Sequence, residues 1–339
     1  MSHNFAPART RRRLLLGFAS AGAILLAACS GPAADNTSNN NSGGSAPAPA
    51  PSSSGDLKVA VVTHGGAGDA FWSVVKNGAE AAGKQLGVGV TYSSDGDPGA
   101  QARLIDNAVA QKVGGLVVSM ANPDALKTAI DNAVKAGIPV ITINSGSARS
   151  KEFGALAHVG QEESIAGEQA GAKLKAAGKT KLLCVIHEAG NIGLTQRCDG
   201  AKRGFGTVSN LQVDLANPTD VEARIKAALQ TDTSIDAVLA LNPQVGVLAA
   251  SAAKGAGSKA QVATFDLNAD VAAAIKSGEV LFAVDQQQYE QGYLPIVMLK
   301  LYHDNANTLG GGGPVLTGPG FVDKSNVDRV TEYAKRGTR

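Results

Sequence analysis

Aromatic side chains are scarce in this sequence, 4% of its residues, with a single tryptophan. Charge of one sign is scarce too: the formal net charge is +2, which removes the electrostatic case for a nucleic-acid partner. The cysteines number 3 and the histidines 5, scattered along the chain, so neither a metal site nor a bound cofactor is expected. The apolar run at residues 14–28 spans about 15 residues, short for a membrane helix, which needs about 20. Hydrolase signatures are missing: there is no G-x-S-x-G elbow and no H-E-x-x-H. His64 and His187 both reach the rim described below, but a lone histidine there is more often structural than a base. No enzymatic activity is expected.

Val, Ile, Leu and Ala are plentiful, and glycines number 41. That balance suits a parallel α/β protein, whose buried strands use branched aliphatics and whose turns need glycine. With 339 residues the chain is long enough for two cores.

The organising stretch is residues 57–76. A branched run, Val59-Ala60-Val61-Val62, reads as a strand. A glycine-rich loop follows from His64 to Asp69, then an amphipathic helix opens at Phe71 and Trp72. The loop falls at the carboxyl end of its strand, where ligands bind in open α/β sheets. A dinucleotide fingerprint does not fit. After Gly66-Ala67-Gly68 the position in register is Phe71, whose ring blocks pyrophosphate approach.

The βα rhythm repeats. Strands are expected at 88–92, 115–120, 138–144 and 155–159, and again at 181–186, 211–215, 235–241, 261–265 and 280–284. Asn122-Pro123, Asn217-Pro218 and Asn242-Pro243 start helices, with Asn as N-cap and Pro in the first turn. About five strands per half predict two doubly wound Rossmann-like lobes with a ligand cleft between them.

The residues just past the strands include His64, Asp95, Asn144, Glu188, Asn242, Asp266 and Gln286, with Arg197 nearby. A phosphate or carboxylate ligand would recruit more Arg and Lys. Amides and carboxylates suit hydroxyls, and Phe71 and Trp72 supply flat apolar faces. The predicted ligand is a neutral sugar or polyol. For any one rim residue the plainer role is a helix cap; Asp266 in particular would cap a helix starting near Leu267.

Residues 1–28 read as a signal peptide, with basic Arg11-Arg12-Arg13 ahead of the apolar run. Leu26-Ala27-Ala28-Cys29 resembles the bacterial lipoprotein signal, which implies acylation of Cys29 and a lipid anchor in the membrane. The arginines also resemble a twin-arginine export signal. Residues 29–55 form a linker without Val, Ile, Leu, Met or aromatic residues, too polar to fold. Its reach as a flexible coil is about 28 Å. Export permits a disulfide, and Cys184 on a strand with Cys198 on the following helix are its expected partners.

From residue 58 onward the chain resembles the ribose- and galactose-type periplasmic sugar-binding proteins of bacterial ABC importers. The resemblance rests on Asp69-Ala70-Phe71-Trp72, on Gly137-Ile138-Pro139 leading to Asn144, on Leu241-Asn242, on Thr264-Phe265-Asp266, and on Gln286 ahead of Gln291-Gly292. It implies two lobes joined by three hinge crossovers: 56–160 with about 287–316, and 161–286 with about 317–339. By it, Phe71 and Trp72 pack on a sugar ring. It also carries Asp69, Asn144, Arg197, Asn242, Asp266 and Gln286 into the site, and His64 joins them as a residue of the rim. Asn144-Ser145 stands where Asp-Arg is usual, so the usual pyranose contacts change and a hexose, a different pentose or an acyclic sugar alcohol is open. The implied partner is an ABC permease, and the implied state a monomer in the bacterial cell envelope. A lipid-anchored sugar sensor is the alternative. Sugar-responsive repressors share the fold, but they carry a helix-turn-helix where this chain has a signal and a linker.

Overall fold

The computed structural model describes residues 56–66 and 68–339. The signal peptide, Cys29 and the linker lie outside these residues.

Strand and helix alternate from the start: β1 (Lys58–Thr63), α1 (Ala70–Leu86), β2 (Gly89–Ser94), α2 (Pro98–Ala110), β3 (Gly115–Ser119), α3 (Pro123–Lys135), β4 (Val140–Ile143), the single turn α4 (Ser147–Ser150), and β5 (Ala157–Gly160). A second series follows: α5 (Glu163–Ala176), β6 (Leu182–Ile186), α6 (Ile192–Phe205), β7 (Val208–Gln212), α7 (Pro218–Thr231), β8 (Ala237–Ala240), α8 (Pro243–Gly255), β9 (Gln261–Phe265), α9 (Ala269–Ser277) and β10 (Val280–Asp285). The chain ends with α10 (Gln288–Asn305), β11 (Val315–Leu316), β12 (Gly320–Asp323) and α11 (Thr331–Lys335).

The strands form two sheets of 6, not five each, in the orders β11-β5-β4-β3-β1-β2 and β12-β10-β9-β8-β6-β7. The two additional strands come from the glycine- and proline-rich C-terminal segment, one to each sheet. All pairings are parallel except β10 with β12. The chain passes between sheets three times: after β5, after β10, and between β11 and β12. Helix α10 returns to the first lobe and packs on α1.

Central strands are apolar on both faces because helices cover both. Val59 and Val61 of β1 pack with Val75, Ile296 and Leu299, while Ala60 and Val62 pack on the other face with Ile105 and Ile130. The edge strand β7 has no buried residue and lies about three residues earlier than the apolar pattern predicts. Asn122, Asn217 and Asn242 cap α3, α7 and α8 with a proline next, as their sequence predicts. Cys184 of β6 and Cys198 of α6 form a disulfide, with Cα atoms 5.9 Å apart.

In each sheet the strand order reverses beside the first strand of the series. β1 lies between β2 and β3, and β6 between β7 and β8. The loops leaving such a switch point diverge and open a crevice at the carboxyl ends.

Candidate ligand-binding site

The loop after β1 enters the first crevice. The backbone N–H of His64 donates to Ser119 Oγ at 3.0 Å, and its Nδ1 lies 2.7 Å from the same oxygen. Trp72 packs edge-on to His64, ring centroids 4.7 Å apart, and Phe71 edge-on to Trp72 at 4.9 Å. The backbone passes so close here that a Cβ on Gly65 would sit 2.3 Å from Trp72 Cδ1, so only glycine fits. Asp69 caps α1, its Oδ1 accepting from Phe71 N at 2.8 Å.

The second lobe faces it with Arg197, Asn242, Asp266 and Gln286. Asn242 Oδ1 accepts from Gln244 N at 2.8 Å as the cap of α8. Asp266 does not cap a helix. Helix α9 begins at Ala269 under Asn268, whose Oδ1 accepts from Val271 N at 2.8 Å. Asp266 instead adopts φ 69°, rare for residues with a side chain but tolerated by Asp and Asn. That turn leaves its carboxylate at the rim, where Oδ1 accepts from Gln286 Nε2 at 2.6 Å. Arg197 is committed to Glu163, both residues being 3% exposed, with Nε 2.5 Å from Oε2 and Nη2 2.9 Å from Oε1. Its Nη1 donates to Leu241 O at 3.3 Å. Helices α5 and α6 come close enough for this pair because Gly167 offers no side chain: a Cβ there would lie 2.0 Å from Arg197 O.

The two rims touch. Asn144, at φ 62°, donates from Nδ2 to Gln286 Oε1 at 3.3 Å. Ser145 Oγ lies 3.2 Å from Asn191 Oδ1, and Asn191 Nδ2 donates to His64 Nε2 at 3.3 Å and to Glu188 Oε2 at 2.9 Å. Beside them Ile192 N donates to Ala121 O at 3.0 Å. Since Nε2 of His64 accepts, its proton rests on Nδ1, toward Ser119. Burial keeps this imidazole neutral by lowering its pKa, against the opposing pull of Glu188.

Between the rims lies a narrow cavity of about 30 Å³ that is open to solvent. His64, Asp69, Phe71, Trp72, Asn144, Arg197, Asn242, Asp266 and Gln286 all line it. So do His187 and Glu188, which the sequence places on the rim but not among the site residues, and Asn191, Leu194 and Leu241, which it does not place there. Asn191 is the principal omission. Its position ahead of a helix marks it as a cap, but its reach across the cleft depends on how the lobes meet. Asp95, on the sequence-based rim, lies outside the cavity. A wider cleft of about 560 Å³ opens beyond, past His187, Glu188 and Gln244.

The cavity is acidic. Burial raises the Asp266 carboxyl to about 7, although Arg197 and Gln286 pull it down. Burial raises Asp69 to about 6, the Phe71 N–H opposing and the Glu188 charge adding to it. His187 is pushed down to about 3 by burial, with Arg197 contributing. Among the described residues no group of three or more His, Cys, Asp or Glu is placed to hold a metal ion. The arrangement offers carboxylate and amide acceptors on both walls beside two aromatic faces, a set that receives hydroxyl donors.

Comparison with known proteins agrees with this architecture. A solved carbohydrate transporter from Acidothermus cellulolyticus 11B, in complex with myo-inositol, superimposes with TM-score 0.83 at 44% identity, covering 84% of this chain and 100% of that one. The ribose import binding protein of Haemophilus influenzae is 25% identical over 236 residues, 67% of this chain and 79% of that protein. A solute-binding protein from Burkholderia graminis in complex with D-arabinose shares the fold at TM-score 0.72, with 19% identity over 81% of this chain and 98% of that one. The periplasmic binding protein domain matches residues 59–306, from the first strand to the end of the helix that returns to the first lobe. Two sheets, three crossings and a cavity at the facing switch points thus have one common source: the chain belongs to the periplasmic binding protein family.

Proposed function

We propose that this protein captures a neutral monosaccharide or sugar alcohol outside the cytoplasm and delivers it to an ABC importer, without chemically changing it. The observation that carries the reading is the cavity between the rims, which Asp69 from one lobe and Asp266 from the other line together with Phe71 and Trp72. Hydroxyls would donate to the carboxylates, and the aromatic pair would cover the apolar face of the ring. The solved relative that is 44% identical holds myo-inositol, which places cyclic polyols among the ligands to be tried.

In this reading residues 56–160 with about 287–316 make one lobe and 161–286 with about 317–339 the other. The sheet membership of β11 and β12 supports that division. Capture moves the lobes together, since each supplies part of the wall. Cys29, acylated after removal of residues 1–28, holds a monomer at the membrane surface near its permease, with residues 29–55 as the tether.

A thermal-shift screen over pentoses, hexoses and polyols tests the proposal. A ligand at 100 times its Kd stabilises the folded state by about 2.7 kcal/mol. A screen in which none of these compounds raises the melting temperature overturns the polyol reading.

A further inference from the structure

Resting on that reading, we infer that Asp69 is a specificity-determining residue: it selects a carbocyclic polyol, with a hydroxyl at every ring position, over an aldopyranose.

The first-lobe wall of the cavity is poor in available donors. His64 has both ring nitrogens engaged, by Ser119 and Asn191. The Asn144 amide donates to Gln286 and Gln291. Asp69 uses Oδ1 as the helix cap and is also bonded by the Asn242 side chain from the second lobe, and while ionised it can only accept. Apart from the indole of Trp72, this wall presents acceptors. Across the cavity Asp266 likewise commits Oδ1 to Gln286.

A ring held between these walls therefore meets a carboxylate on each side. A ring hydroxyl satisfies a carboxylate by donating. The ring oxygen of an aldopyranose only accepts, and turned toward Asp69 it would set lone pairs against lone pairs. Its remaining option is to face the donors of the second lobe, where three of the five Arg197 N–H groups are already spent and the Asn242 side chain already bonds Asp69. A carbocycle carries no such atom, and all of its positions donate. Leaving a buried polar group unpaired is what gives a polar site its strongest discrimination.

Asp69→Asn tests this cleanly, because Asn caps a helix as well as Asp does and keeps the fold. The amide nitrogen adds a donor where the wall has only an acceptor. Titration calorimetry on the detergent-solubilised full chain would compare myo-inositol with D-ribose and D-glucose at pH 7.5. Myo-inositol is expected to bind at least about tenfold more tightly than either aldose, and Asp69→Asn to narrow that ratio at least about threefold. An aldose that matches myo-inositol overturns the inference and leaves the solute-binding proposal standing. So does an Asp69→Asn variant that weakens all ligands equally, the signature of a purely structural cap. Binding of none of the three overturns the inference, and the wider thermal-shift screen then decides the polyol reading.

Discussion

Arg197 gives two guanidinium N–H bonds to Glu163, a residue 34 positions earlier, in a buried pair at the wall of the candidate cavity. The guanidinium also lies over the Phe265 ring, 4.5 Å from its centroid. The cavity therefore gains the directionality of an arginine without its full charge. This pairing suits a neutral ligand, since a free guanidinium would favour an anion. Removing the partner should be costly, because a buried charge is then left uncompensated. Glu163→Ala is expected to destabilise the protein by about 3–5 kcal/mol in urea unfolding. A loss below about 1 kcal/mol would mean that water reaches the guanidinium and that the pair is not structurally important.

Asp266 separates ligand binding from helix capping because Asn268 performs the capping. Replacement by Ala would add strain, since φ is 69° there, and would blur the result. Asp266→Asn is the better variant: Asn tolerates that backbone and retains an acceptor. Hydrogen bonds to a charged group contribute about 1.5–3 kcal/mol against about 1 for a neutral one. Affinity for the best polyol should fall roughly tenfold, with the melting temperature of the free protein held or raised. Unchanged affinity in calorimetry would remove Asp266 from the site and weaken the case for Gln286, which bonds it.

The βα alternation was legible because its strands are branched and buried on both faces, and because Asn-Pro marks three of the helix starts. Edges were less so. β7 reads Val-Ser-Asn-Leu-Gln, and a strand with no buried residue carries too little apolar pattern to fix its ends. β11 has only 2 residues, below any periodicity. The nine candidate site residues share one cavity because residues just past parallel strands gather at one rim. Long-range partners leave no such trace. Nothing local announces that Arg197 is spent on Glu163, or that Asn191 bridges to His64 and Ser145 across the cleft. Such contacts arise from packing between elements and from the meeting of the lobes.

Anchoring is tested at Cys29. Replacing it with Ser removes the thiol that a lipid would modify, while the small-residue context before it stays. The variant is expected in the soluble envelope fraction or the medium, with wild type sedimenting with membranes. A wild-type chain that fractionates as soluble and shows no mass increment at Cys29 would refute the lipid anchor and leave the binding function untouched.

Two opposite pH trends should follow from the buried carboxyls. Asp69 titrates near about 6 and Asp266 near about 7, each above its ordinary 3.8. Their protonated forms are favoured in the free folded state relative to the unfolded chain. The stability they contribute is fully present below the unfolded value and is lost as pH rises through about 6 and 7. Free protein should therefore melt lower at pH 8 than at pH 5 on their account. A polyol that donates to the carboxylates favours their charged forms and lowers both pKa values in the complex. Its affinity is then full above about pH 7 and falls as the carboxyls protonate, by up to about tenfold per unit of pKa depression. The gap between free and myo-inositol-saturated melting temperatures should widen from pH 5 to pH 8, and Asp266→Asn should flatten most of that change. A gap that stays constant across the range would mean that the ligand hydroxyls do not donate to these carboxylates, and the cavity's acceptors would need another occupant.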